Sequence, residues 1–252
     1  MAYYESITRE FTWDNTPLLI SAGFSFLIGY LQYFYAIKLM LTDGRGPFPI
    51  WMHIFYLAHD SAFSYILGRA APHYDNHFFL RGSSIAYAIW SILEIFCIYH
   101  AIRYHRRENF SPALGERSVS LGTVLQYTIF MQAAMYCVVI LLIDMLGEGC
   151  SMQWGCLTNV LMIVGPTHDY IRRGSNDGLA VGFCVVNVFC AIWTFAPFGM
   201  FVRTLPEVFE TSTYYNIGCI LFVYSLWLLS IVATNPPKTG TVSKRIAGNK
   251  SA

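Results

Sequence analysis

The sequence predicts an all-α polytopic membrane protein, a single bundle of seven transmembrane helices. Three observations carry this: the composition, the spacing of apolar windows and the placement of basic residues. Of 252 residues, 55% are hydrophobic, 17% aromatic and only 12% charged, and the mean hydropathy is +0.45. Soluble domains have about a quarter of their residues charged, so this chain has too few polar groups to cover a core in water. Lipid is the fitting solvent, and about 20 apolar residues cross it as a helix.

The opening stretch "MAYYESITREFTWDNTP" has acidic residues where a secretory leader is basic, so no cleavable signal is expected. Apolar windows follow near 18–41, 50–68, 83–104, 121–146, 152–169, 179–201 and 214–234. Between them, "DGRGPFP", "GEGCS" and "RRGSND" carry the Gly, Pro, Asn and Asp of turns. With no long polar insertion and no internal repeat, residues 1–252 form one membrane domain, and residues 235–252 read as a basic cytoplasmic tail.

Seven spans put the loops after spans one, three, five and seven on one side. That side holds Lys38, Arg45, Arg103, Arg106, Arg107, Arg117, Arg172, Arg173, Lys238, Lys244, Arg245 and Lys250. Arg9, Arg69, Arg81 and Arg203 are the remaining four of the sixteen. Positive charge stays cytoplasmic, so the C-terminus is expected inside and the N-terminus outside or lumenal. Seven scattered cysteines give neither a disulfide framework nor a zinc motif. A net charge of +1 points to no nucleic-acid partner.

The chemistry lies in what is polar within the spans. Asp60 falls about ten residues into span two and Glu94 about eleven into span three, so both are expected near the midplane, at one depth. An intramembrane acid is costly and marks a functional site by default. Burial disfavours the charged form of a carboxyl, and a neutral acid in an apolar pocket can protonate a weakly basic substrate. The alternative is that Asp60 and Glu94 hydrogen-bond to Asn159, Asn187, Gln126 or Gln132 and join helices. Asp144 and Glu148 fall at the outer end of span four, as solvated interfacial groups.

The histidines set a further limit. "HYDNH" (His73, His77) has the spacing of a diiron box, but His100, His105 and His168 fall at the opposite membrane face, so no metal site is expected. His59 neighbours Asp60 in sequence and therefore points from another helix face, tuning the pocket. Trp90, Trp193, Trp227, Phe63, Phe96, Phe130, Phe195, Tyr127 and Tyr136 lie within spans, whereas Trp and Tyr gather at the interfaces. They either pack the core or line a pocket whose π-faces steady a cation. The substrate pocket is accordingly expected from His59, Trp90, Phe63, Tyr127, Asn159, Asn187, Trp193 and Trp227.

Four stretches carry a resemblance: "AHD" ending at Asp60, "RRENFSPAL", "GCSMQWG" and "RRGSNDG" at 172–178. In order and spacing they are similar to the fungal seven-transmembrane terpene cyclases of meroterpenoid and indole-diterpene biosynthesis (the paspaline- and pyripyropene-type enzymes). The resemblance covers most of the chain. It implies a membrane-bound enzyme of the isomerase or lyase type, in the endoplasmic reticulum, that cyclises a lipophilic prenylated substrate drawn from membrane lipid. It also implies an upstream prenyltransferase and epoxidase, and no cofactor or metal. Asp60 would be the principal general acid. The family's second acid is in span seven, where "YYNIGCILFVYSLWLLSIVAT" has no carboxylate, only Tyr224 and Ser225 as nearby polar groups. Either Glu94 supplies the second catalytic acid from span three, or the chain protonates something other than the usual epoxide or has lost catalysis.

Two other classes fit seven spans: a receptor for a lipophilic ligand, and a proton-coupled carrier using Asp60 and Glu94 as a relay. A retinal-binding photoreceptor is excluded, because residues 214–234 hold no lysine.

Overall fold

A helix satisfies its backbone hydrogen bonds internally, which makes it the natural form for a chain placed in lipid. The computed structural model, which describes residues 2–115, 119–173 and 178–234, has helices throughout and no strand among those residues. Seven are long: α2 (Thr16–Asp43), α3 (Ile50–Ala70), α4 (Phe78–Tyr104), α6 (Leu121–Leu146), α7 (Ser151–Arg173), α8 (Val181–Phe195) and α11 (Ser212–Thr234). The short ones are α1 (Ala2–Glu10), α5 (Arg106–Leu114), α9 (Met200–Thr204) and α10 (Pro206–Phe209), with a 3₁₀ turn at Ala71–Tyr74.

Local chemistry sets the ends. The Asn15 side chain accepts from the Leu18 amide at the start of α2, and Gly44 closes that helix with φ of 73°. Ser120 caps α6 by accepting from the Thr123 amide. Helix α4 begins at Phe78 rather than near 83, because the His77 ring accepts from the Phe79 amide and caps the helix early. The window predicted over 179–201 breaks after Phe195: Pro197 disfavours helical backbone at Ala196, and α9 resumes at Met200.

Polar ties define two ends of the bundle. At one, the Gly178 amide donates to Asp43, Arg45 to the Glu108 carbonyl and Asn109 to the Gly44 carbonyl. At the other, Tyr4 donates to the Glu148 carbonyl, and Arg69 sits 3.7 Å from the Glu148 carboxylate. The long helices therefore run back and forth between these ends. The basic residues used to orient the chain at Arg117 and in 235–252 lie outside the described residues, as do the Arg172 and Arg173 side chains and residues 174–177 of "RRGSNDG".

Among the described residues, five helical stretches are long and apolar enough to cross a membrane: Thr16–Asp43, Phe78–Tyr104, Leu121–Leu146, Val181–Thr204 and Ser212–Thr234. Helices α3 and α7 are as long but more polar, because they face protein. Twelve of the 21 residues of α3 are buried, against three of the 26 in α6. Glu94 of α4, Gln132 and Tyr136 of α6 and Thr158 of α7 all bond α3, and Tyr33 of α2 reaches it through Glu94. Helix α6 instead shows Ile129, Phe130, Leu141 and Met145 on the outside, with Phe130 74% exposed. An exposed apolar surface of that extent suits lipid. Phe96, predicted within a pocket or core, is 40% exposed as well.

One consequence is testable on the native thiols. Cys137 of α6 and Cys219 of α11 are exposed on the protein surface within these apolar helices. In sealed membranes both are expected to resist a water-soluble maleimide and to react once detergent denatures the protein. Rapid labelling of either cysteine in intact membranes, read by mass spectrometry, would remove that helix from the bilayer.

Candidate active site

Adjacent residues on a helix point about 100° apart, which places His59 and Asp60 on different faces by geometry alone. The structure corrects this. His59 Nδ1 lies 2.7 Å from Asp60 Oδ1, and both side chains turn into the same gap between helices. His59 is 1% and Asp60 3% exposed, so the bond is dry. One proton lies between them, either on the imidazole or on the carboxyl. The far nitrogen, His59 Nε2, is buried and has no hydrogen-bond partner among the described residues. Rings of Phe55, Phe63, Tyr87 and Trp154 box the imidazole at centroid distances of 4.9–6.2 Å.

The pair opens on a cleft of about 80 Å³. Helix α2 supplies Ser25, Phe26, Gly29, Gln32 and Tyr33; α3 adds Tyr56; α4 gives Tyr87 and Trp90. Helix α7 contributes Gly155, Thr158, Asn159 and Met162, and Met200 and Phe201 of α9 close one side. Trp90 stacks on Phe26 with centroids 5.6 Å apart and planes 10° from parallel. Gly29 permits this approach, since a Cβ there would meet Trp90 Cζ2 at 3.0 Å.

Glu94 is fully buried but does not line the cleft. Its Oε1 accepts from the Tyr33 hydroxyl, and its Oε2 lies 2.5 Å from His53 Nδ1, within hydrogen-bond distance. Two contacts fix the register of α3 against α4: Ser64 and Ser84 exchange hydroxyl-to-carbonyl bonds, and His53 meets Glu94. In that register Asp60 faces the level of Ala88, and Glu94 lies roughly 10 Å further along the axis. The expectation that both acids share one depth is overturned. Turn counting from helix ends misjudged it, because α4 starts five residues before the apolar window.

The other expected pocket residues divide. Trp90 and Asn159 line the cleft. Asn159 is also bonded to Thr194, and Asn187 accepts from Gln32 and donates to the Met162 carbonyl, so these amides tie helices to one another and not to either acid. Phe63 backs His59 from the core. Tyr127 sits elsewhere, lining a cavity of about 150 Å³ with Arg45, Glu108 and His168. Trp193 packs on Phe24 and Phe198, both near half exposed, and Trp227 is itself 45% exposed. An aromatic residue within a span can face outward or fill another cavity as well as this one, as Trp227 and Tyr127 do. Helix α11 gives no residue to the cleft: Ser225 bonds the Phe222 carbonyl and Tyr224 packs on Trp227.

Sequence reasoning missed Tyr33, His53 and Gln32. The spacing of His53 and Asp60, seven residues apart and hence on one face of α3, was the available signal. Among the described residues no three His, Cys, Asp or Glu side chains gather in a way that could hold a metal ion. Comparisons of the chain with family models, curated proteins and solved structures return no match.

The pair itself predicts a stability difference. Asp60→Ala strands His59 Nδ1 in a dry site, at a cost of about 1–3 kcal/mol, the usual penalty for an orphaned buried polar group. Asp60→Asn keeps a partner and is expected to cost less. Thermal unfolding in detergent measures both, and equal midpoints for the two variants would mean that the His59 bond contributes nothing to the fold.

Proposed function

We propose that the chain is a seven-span membrane enzyme that cyclises a prenylated lipophile after protonating its terminal epoxide or alkene. In this reading α3 and α7 cross the bilayer inside a collar of the five apolar helices. The N-terminus faces the lumen of the endoplasmic reticulum and the C-terminus the cytoplasm. What supports the chemistry is one observation above all: a buried, hydrogen-bonded carboxyl–imidazole pair opening on an aromatic-lined cleft. The resemblance in "AHD", "RRENFSPAL" and "GCSMQWG" points the same way.

Substrate reaches the cleft from lipid past Phe26 and Trp90. The cleft is smaller than the roughly 300–1,000 Å³ of ligand pockets, so Trp90 swings away from Phe26 as the prenyl chain enters. The Asp60–His59 pair gives its proton to the epoxide oxygen or alkene carbon. The nearby faces of Trp90, Tyr87 and Phe26 steady the cation electrostatically without offering a nucleophile. Exclusion of water protects the cation until the rings have closed. A prenyltransferase and an epoxidase supply such a substrate upstream. The carrier reading, which uses Asp60 and Glu94 as a continuous relay, is the weaker one, because no hydrogen bond among the described residues joins the two acids and each is bonded to partners of its own.

Microsomes holding the protein, fed with plain and epoxidised prenylated aromatics, test this reading. The wild type is expected to release cyclised product, and Asp60→Asn to lose at least about a hundredfold in rate, the common contribution of a general acid. Unchanged substrate with both proteins would set the cyclase reading aside. Equal turnover by both would leave an enzyme whose acid is not Asp60.

A further inference from the structure

A reaction begun by protonation needs a group that ends it, and the same cleft offers one. Tyr33 lines the cleft while its hydroxyl donates inward to Glu94, which His53 holds from the other side. The three are 3%, 0% and 1% exposed, in that order. The Tyr56 hydroxyl, also at the cleft, donates instead to the Thr158 carbonyl. Tyr33 is thus a cleft-lining tyrosine whose hydroxyl is bonded to a buried carboxyl, and its oxygen keeps lone pairs beyond that bond.

We propose that Tyr33, backed by Glu94 and His53, is the proton-accepting end of the cleft, which holds a cationic centre and takes its proton. This rests on the cyclase reading for its chemistry. The C–H bond next to the cationic carbon breaks, and its electron pair becomes the new alkene. The proton goes to the Tyr33 oxygen as the Tyr33 proton passes to Glu94. The Asp60–His59 pair has lost one proton and the Tyr33–Glu94 pair has gained one, so substrate and product are isomers. Return of that proton through the vacated cleft resets the site. Tyr33 is the catalytic residue; Glu94 and His53 act through it as positioning residues.

The test uses purified protein in detergent and two probes: a farnesyl tertiary amine, cationic at neutral pH, and its hydrocarbon isostere. The wild type is expected to prefer the amine by about tenfold or more, a difference of roughly 1.4 kcal/mol. Glu94→Gln should abolish that preference while melting close to the wild type, and Asp60→Asn should keep it. No preference in the wild type overturns the proposal, as does a preference that survives Glu94→Gln but is lost in Asp60→Asn. In turnover, Tyr33→Phe should still consume substrate but release hydrated or differently placed alkene products; an unchanged product overturns the base assignment. A wild type that prefers the amine through Glu94 but turns nothing over would sink the cyclase reading and leave the cationic site standing.

Discussion

The bundle is organised by one constraint: the polar groups of α3 must find partners where water does not reach. The partners come from three neighbouring helices. Tyr56 donates to α7, Ser61 and the Ile54 carbonyl bond α6, Ser64 and His53 bond α4, and Glu94 carries the contact on to Tyr33 of α2. Single bonds between membrane helices average only about 0.6 kcal/mol. Their effect on register is larger, since sliding α4 by one turn would separate both the serine pair and the histidine–glutamate pair. Four helices are thereby held at fixed depth around the fifth.

From that constraint follows the inversion of hydropathy with position. Helix α6, with few buried residues, is among the most apolar, and α3, the most enclosed, falls short of the apolarity of a lipid-facing span. Small residues let the enclosed helices approach. A Cβ at Gly165 would run into Met52, and one at Gly218 into the Phe195 side chain, so α3 meets α7 and α8 meets α11 at glycine contacts. The cleft forms where this packing is interrupted, at His59 and Asp60, whose polar ends cannot be filled by apolar neighbours.

This also explains what could be read in the sequence. Helix positions were legible, because apolar windows and their Gly, Pro and Asn breaks are local; α6 matches its predicted bounds of 121–146. The exceptions were local too, a histidine cap at His77 and the break before Pro197. Asp60, His59, Trp90 and Asn159, singled out because each is unusual for its span, line one cleft. Tyr33 and His53 were not singled out, since a tyrosine in a Tyr-rich helix and a histidine near a helix start look ordinary until Glu94 is set between them. The separation of Asp60 from Glu94 depends on interhelical register, which no periodicity encodes. Tyr127, Trp193 and Trp227 show the reverse error: within a span, a ring on the outside, a ring in another cavity and a ring facing this cleft have the same sequence appearance.

Two buried carboxyls in one bundle could have been placed side by side, and their separation has chemical meaning. Carboxyls in contact share a proton and titrate as one unit, so neither can be assigned a separate task. Here each has its own histidine, and they differ in what else they touch. Asp60 meets His59 and the cleft itself; Glu94 is sealed behind a tyrosine that donates to it. Distinct surroundings let neighbouring titratable groups hold different protonation states, the condition under which one gives a proton while the other receives it. No hydrogen bond among the described residues joins them, and Asp60 and Tyr33, the partner of Glu94, both line the cleft. A relay carrying protons across the bundle would want the shortest unbroken chain between the acids, whereas a site that performs chemistry on a guest gains from interrupting that chain at the point where the guest binds.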